Sequence, residues 1–261
     1  MSINGQVAWI ERVVPDIQGL PRPFFARNES LLNNTQTAWH QHPWVQVSYA
    51  IKGMLTVYTE SGNYVAPPMW AVWIPPHTPH RVLTSDHVEM RGLYIDTPEA
   101  LPHPIAVLEV NPLLRELINA FSQFPVNYAE QGDEGRLVQV MFDQLQQART
   151  AELSLPMPTD PRLQRLCLQL QQQPDTDQTL AQWGMVLGAS EKTLSRLFVK
   201  QTGLTFRLWR QRLRLLSALR YLESGEKVTS VALKAGYHST SAFIAAFREQ
   251  FGMTPGGVFH E

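Results

Sequence analysis

At 261 residues with 44% hydrophobic side chains, the chain has apolar material for two ordinary domains, each with its own core. The single cysteine, Cys167, excludes an internal disulfide and fits a reducing compartment. Neither a secretory leader nor an apolar run of membrane-spanning length is visible, so a soluble, cytoplasmic protein with no membrane partner is expected. The net charge of −1 conceals an asymmetry: residues 160–261 hold 13 Lys/Arg against 8 Asp/Glu, and the remainder holds 9 against 15. An acidic half joined to a basic half suggests that only the second half meets a polyanion.

In chain order, residues 36–96 carry short β-branched and aromatic runs: Val45–Ile51, Met54–Tyr58 and Trp70–Ile74. Lys52-Gly53 and Ser61-Gly62-Asn63 sit at the breaks as hairpin turns require, which predicts an antiparallel sheet or barrel. Two helices are predicted next. Leu113, Leu114, Leu117, Ile118 and Phe121 recur at helical spacing, and so do Leu137, Val138, Met141, Phe142 and Leu145. Both stripes read as covers for the barrel. Pairing of the second helix with its copy in a homodimer is the alternative use. Three prolines within Leu153–Pro161 then mark a stiff, extended linker, after which nearly everything reads as helix.

That helical region contains a repeat. Thr179-Leu180-Ala181-Gln182 has the form of a capping box, its helix ends at Gly188, and Ser190 caps a second helix that stops at Gly203. About fifty residues later Thr229 opens a short helix, Gly236 ends it, Ser239 caps the next and Gly252 closes it. Phe243, Ala246 and Phe247 fall at the spacing of Leu194, Leu197 and Phe198. Gly184 and Ala232, each four residues before a turn glycine, are small enough for two helices to cross closely. Phe206–Glu223 joins the two units as a helix of about 18 residues, roughly 27 Å long at 1.5 Å per residue. Successive major-groove faces on one side of B-DNA lie about 34 Å apart, so such a connector can set two recognition helices in adjacent grooves. Arg207, Arg210, Arg212, Arg214 and Arg220 add charge along it.

The run Gly236-Tyr237-His238-Ser239, with Phe243, Phe247-Arg248 and Phe251-Gly252-Met253-Thr254-Pro255, resembles the signature of the AraC/XylS family of transcription regulators. Leu187–Ser190 with Thr193–Phe198 is similar to that family's first helix-turn-helix, and the resemblance covers about residues 160–257. It implies an activator or repressor that binds double-stranded promoter or operator DNA, with RNA polymerase as a partner in the activating case. The base-reading positions it implies on the first recognition helix are Lys192, Ser195 and Arg196, and Lys200 is a further DNA-binding candidate on that helix. The same polar residues are left outside once Leu194, Leu197 and Phe198 turn inward, and Arg196 has the fork geometry for guanine. Ser190, Ser239, Arg207 and Arg210 are assigned to phosphate. The second recognition helix offers Thr240 and Ser241, but Ala245 stands where the family usually has arginine, so this unit is expected to read few bases.

In the acidic half, His40 and His42 lie two apart, on one face of a strand, and His80 follows in Pro75-Pro76-His77-Thr78-Pro79-His80. With Gln46 and Gly53 this arrangement resembles the two cupin motifs, in which two His, a Glu and a third His hold a metal inside a small β-barrel. Here Gln46 replaces the glutamate, His77 a glycine and Thr84 an asparagine. Three imidazoles suit a divalent transition metal. A barrel that has lost its metal, with the histidines hydrogen-bonding a ligand or water, stays open at this point. Trp39, Trp44, Trp70 and Trp73 lie near these histidines in sequence, and an aromatic barrel mouth suits a small-molecule effector.

The expected fold class is therefore α+β. A cupin-like β-barrel with trailing helices spans residues 1–152 for effector binding or dimerisation, a linker spans 153–161, and an all-α domain with two helix-turn-helix units spans 162–261. The expected function is sequence-specific transcription regulation under a small-molecule or metal effector, without catalysis. The alternatives are a metal-dependent cupin enzyme carrying a DNA-binding domain and a DNA binder that needs no effector.

Overall fold

The computed structural model describes residues 9–14, 18–97 and 104–259. It divides into two compact units, residues 1–59 with 64–154 and residues 60–63 with 155–261.

The first unit contains strands β1 (Ile10–Arg12), β2 (Phe24–Leu31), β3 (Thr35–Thr37), β4 (Val45–Lys52), β5 (Leu55–Thr59), β6 (Gly62–Ala66), β7 (Trp70–Ile74), β8 (His80–Thr84), β9 (Val88–Ile95) and β10 (Ala106–Glu109). Helices α1 (Pro112–Phe121) and α2 (Asp133–Gln147) follow, then the short strands β11 (Thr150–Ala151) and β12 (Ser154–Pro156), with Gly62 and Asn63 of β6 and Leu155 and Pro156 of β12 falling to the second unit. The strands form two six-stranded sheets, β1-β3-β8-β5-β6-β12 and β11-β10-β7-β4-β9-β2.

The antiparallel pairing expected over residues 36–96 is present, and one local expectation, the hairpin at Lys52-Gly53, is corrected. Strand β1 runs parallel to β3, while β2–β9, β4–β7, β4–β9, β3–β8 and β5–β8 pair antiparallel. The chain leaves one sheet for β2 and returns for β3, and such a crossover, unlike a tight hairpin, permits parallel pairing. Lys52-Gly53 likewise joins strands of different sheets and is not a hairpin turn. Gly53 has φ +81°, and a Cβ there would sit 2.7 Å from the Val88 side chain, so the turn between the sheets requires glycine. The other predicted hairpin stands, because β5 and β6 are neighbours.

Strand alternation decides which residues face the cavity. Val45, Val47 and Tyr49 of β4 join Leu93, Ile95 and Trp73 in a buried cluster. That cluster is sealed by Leu114, Ile118 and Phe121 of α1 and by Val138, Met141, Phe142 and Leu145 of α2. The intervening Gln46 and Ser48 must point to the opposite face, into the barrel. The apolar stripe of α2 is thus committed to its own sheet, and Val140 is the large apolar side chain of that helix left exposed among the described residues.

The second unit is helical: α3 (Pro161–Gln172), α4 (Leu180–Leu187), α5 (Glu191–Thr202), α6 (Phe206–Glu223), α7 (Val228–Lys234) and α8 (Thr240–Phe251), then one 3-10 turn at Pro255–Gly257. The proline-rich segment ahead of it is extended but anchored. Leu153 and Leu155 are buried, Asp160 caps α3, and the Trp209 indole donates to the Pro156 carbonyl at 2.7 Å. Phe198 meets Phe206 and Trp209 edge-on at 5.7 and 5.8 Å, and Tyr237, Phe243, Phe247 and Phe251 form a second aromatic file.

Thr179 and Gln182 make the full capping box at the start of α4. Thr179→Ala should destabilise this unit by about 1 kcal/mol, read as a lower urea midpoint of the full chain with an unchanged slope. Helix α7 begins at Val228, with Lys227 at its N-cap and no side-chain cap bond, so Thr229 lies inside the helix and does not open it. Without a local cap, packing of Val231 and Ala232 sets that boundary, which sequence spacing does not reveal.

Candidate functional site

Helix α5 is set by its ends. The Ser190 hydroxyl accepts from the Thr193 amide at 3.2 Å, and Gly203 closes the helix in the left-handed conformation. Between α4 and α5 the chain turns so tightly that a Cβ on Gly184 would lie 2.5 Å from the Ala189 carbonyl oxygen. The small residue therefore makes room for the turn's own backbone. Leu194 and Phe198 point inward, while Lys192, Ser195, Arg196 and Lys200 are exposed. Lys192, Arg196 and Lys200 are spaced i, i+4, i+8 and form one row along the outer face. Among the described residues, none of the three cations has a hydrogen bond or ion pair. Three cations in a row without internal partners leave their charge and their donors open on the outer face of α5.

Helix α8 is built alike and charged differently. Ser239 caps it by accepting from the Ala242 amide at 3.4 Å. Its exposed positions in the first two turns are Ser241, Ala242 and Ala245, with Thr240 and Ile244 half-buried, and its cation, Arg248, comes only in the last turn.

The arginines of α6 divide by environment. Arg207 and Arg220 are exposed, whereas Arg212 is buried. Arg214 donates to the carbonyls of Pro174 and Thr176 and to the Asp177 carboxylate at 2.8 Å, which holds the Asp177 pKa below the ordinary carboxylate value. Arg210, assigned to phosphate from the sequence, is half-buried, lies over the Phe206 ring and donates to the Gln178 carbonyl at 2.9 Å. That donor is directed into the fold.

In the first unit the strands bring His40, His42 and His80 together, with one ligand atom from each lying within 4.8 Å of the others. His40 and His80 are directly opposed across an antiparallel bridge, exchanging both backbone hydrogen bonds at 2.9 Å, so their rings share a face. His42, two residues along, returns to the same face, with ring centres 5.2 Å from His80 and 6.1 Å from His40. Gln46 joins them, its amide oxygen 2.9 Å from His42 Nε2 and its nitrogen donating to the Ser48 hydroxyl. Burial is the first cause pushing all three imidazoles below their ordinary pKa, His80 to about 3, so they are neutral at physiological pH.

His40, His42 and Gln46 line a cavity of about 280 Å³. Its further walls include residues that sequence reasoning missed: Arg12 on β1, Arg27 and Glu29 on β2, and Tyr94 on β9. Glu29 forms ion pairs with both Arg12 and Arg27. The signal available was the alternation Phe25-x-Arg27-x-Glu29 in a strand whose other face, through Phe24, packs edge-on against Phe142 at 5.1 Å. Of the four tryptophans, Trp44 alone lines the cavity, stacked on His42 at 5.5 Å. Trp39 is exposed, and Trp70 and Trp73 are buried in the sheets. His77, at the cupin glycine position, is exposed with φ +56°, a left-handed conformation that suits glycine, and takes no part in the triad. Thr84 is buried and hydrogen-bonds Thr35 at 2.8 Å.

No helix among the described residues is long and apolar enough to cross a membrane. Residues 25–154 match the family described as an AraC-like ligand binding domain, and residues 183–260 match the family described as a helix-turn-helix domain. The chain is 37% identical over 219 residues to the HTH-type transcriptional regulator NimR of Escherichia coli, covering 83% of this chain and 80% of that protein. It is 36% identical over 101 residues to the HTH-type transcriptional regulator RipA of Corynebacterium glutamicum, covering 38% of this chain and 30% of that one. Among solved structures it is similar to ToxT from Vibrio cholerae bound to an unsaturated fatty acid, at 14% identity and a TM-score of 0.37, over 89% of this chain and 93% of that one.

Proposed function

The chain belongs to the AraC family of DNA-binding transcription regulators, and from that premise we propose that its two helix-turn-helix units divide the work of recognition unequally. The first unit reads sequence: Arg196 pairs with a guanine, while Lys192 and Ser195 reach neighbouring base edges. Lys200, Arg207 and the capped amino ends of α5 and α8 at Ser190 and Ser239 hold phosphate. The second unit, through Thr240 and Ser241, fixes register with few base contacts. The observation that carries this reading is the row of partnerless cations on α5 against the uncharged first turns of α8.

The cavity beside Trp44 and Tyr94 is the effector site in this reading. Two guanidiniums against one carboxylate there favour a small molecule with an acidic group. Effector binding acts by shifting populations between DNA-binding states, and the chain works by binding, without catalysis.

A footprint and affinity series over single-base changes in each half-site tests the division. The half-site under α5 should carry nearly all base dependence, and equal dependence in both would sink it. Ala245→Ser should leave operator affinity within about twofold, the effect of a surface change near 0.5 kcal/mol.

A further inference from the structure

We propose that Arg214 is a positioning residue for DNA recognition: it ties the entry of the first helix-turn-helix to the turn of the second, and so holds α8 at a fixed place relative to α5. The proposal rests on the reading of α5 and α8 as the two recognition helices and adds what keeps them in register.

The connecting helix α6 serves both helix-turn-helix units. Its first turns carry Phe206 and Trp209, which meet Phe198 of α5, and it also packs against α7 and α8. A helix alone is a compliant joint, since long helices bend. A second attachment away from the helix axis removes the bending and twisting that one attachment permits. Arg214, midway along α6, supplies it.

On one side its guanidinium grips the segment leading into α4. Nε donates to the Pro174 carbonyl at 3.0 Å, and Nη2 donates to the Thr176 carbonyl at 3.1 Å and the Asp177 carboxylate at 2.8 Å. Arg210, one turn earlier, adds a bond to the Gln178 carbonyl at 2.9 Å. The next residue, Thr179, is the N-cap of α4, so no slack separates the grip from the helix.

On the other side the same guanidinium lies against Gly236, where a Cβ would meet its Cζ, Nε and Nη2 at 2.8–2.9 Å. The turn thus touches the planar group with its backbone. Tyr237, one residue on, sets its ring against Phe243 of α8 at 5.4 Å. His238 follows, with Nε2 3.8 Å from the Asp177 carboxylate, so the two gripped segments also approach each other. Lysine would keep the charge, but a single ammonium on a flexible stem lacks the directed fork that spans these acceptors.

The joint matters because the two units are unequal. A second unit that contacts mainly backbone adds affinity when it arrives already placed, and ordering it on the DNA would cost part of what its contacts contribute.

The test places nitroxide labels on the full chain at Val199→Cys of α5 and Glu249→Cys of α8, both exposed, while Cys167 is buried and stays unlabelled. Double electron–electron resonance without DNA should give one narrow distance distribution. Arg214→Lys should broaden it by about twofold or more, with far-UV circular dichroism unchanged. Thr179→Ala, which destabilises the same unit but removes none of the Arg214 bonds, should leave the width as it is. On a duplex selected by the wild-type chain from a random-sequence pool, hydroxyl-radical protection under α8 should fall by about threefold in Arg214→Lys, while protection under α5 persists. A distribution as narrow in Arg214→Lys as in wild type, one broadened equally by Thr179→Ala, or unchanged protection under α8 overturns the proposal. A broadened distribution together with equal base dependence in both half-sites would support the joint and overturn only the unequal division of recognition.

Discussion

Replacing Arg196 by alanine should cut operator affinity by about 5- to 150-fold, the equivalent of 1–3 kcal/mol for a bidentate arginine–guanine pair. Affinity for unrelated DNA should fall far less, because that binding is dominated by phosphate neutralisation shared among many cations. Preference at one G·C position of the half-site under α5 should disappear. The prediction rests on local physics: Arg196 is exposed on α5, its neighbours Leu194 and Phe198 are buried, and no internal acceptor competes for its guanidinium among the described residues. An equal loss on specific and unrelated DNA would instead make Arg196 a phosphate contact. Measuring both affinities at two salt concentrations separates the cases.

Arg214→Ala, on the connecting helix, should act on stability. Its side chain is 14% exposed, and it holds the Pro174 and Thr176 carbonyls and the Asp177 carboxylate in one loop while its guanidinium covers Gly236. The Asp177 pair is largely solvated and adds little. The carbonyls left without a charged donor account for most of an expected loss of about 2–4 kcal/mol. Urea unfolding of the full chain, followed by circular dichroism, should register it. Arg207→Ala on the same helix should leave the urea midpoint in place and lower the salt dependence of DNA binding by about one phosphate, a change of about 0.9 in slope. A reversal of the two phenotypes would mean that burial misassigns both arginines.

The contrast between these two arginines marks what was readable. Both appear in the sequence as charges on one helix, and which is free depends on where residues 174–177, some forty positions earlier, are folded back. The pattern Thr179, Ser190 and Ser239 with Gly188, Gly203 and Gly252 was readable because a helix end is satisfied by residues three or four positions away. Lys227, with no cap bond, was the end that spacing misplaced. Likewise His40-x-His42 was readable as a shared face, whereas the position of His80 opposite His40 needed strand pairing across forty residues. Arg12, Arg27 and Glu29 reach the same cavity from strands that sequence runs did not mark.

The sequence by itself determined the doubled helix-turn-helix, the polar face of α5, the uncharged face of α8 and an N-terminal sheet unit, all set by hydrogen bonds and periodicities within a few residues. Only the tertiary structure decided that Gly53 passes the chain between sheets, that α2 covers its own barrel, and that Arg210, Arg212 and Arg214 are drawn into the fold. It also decided that three imidazoles converge on one point. The reason is common to all of these: partners distant in sequence meet only once sheets pair and helices pack, and a side chain's freedom, charge environment and proton position follow from that meeting.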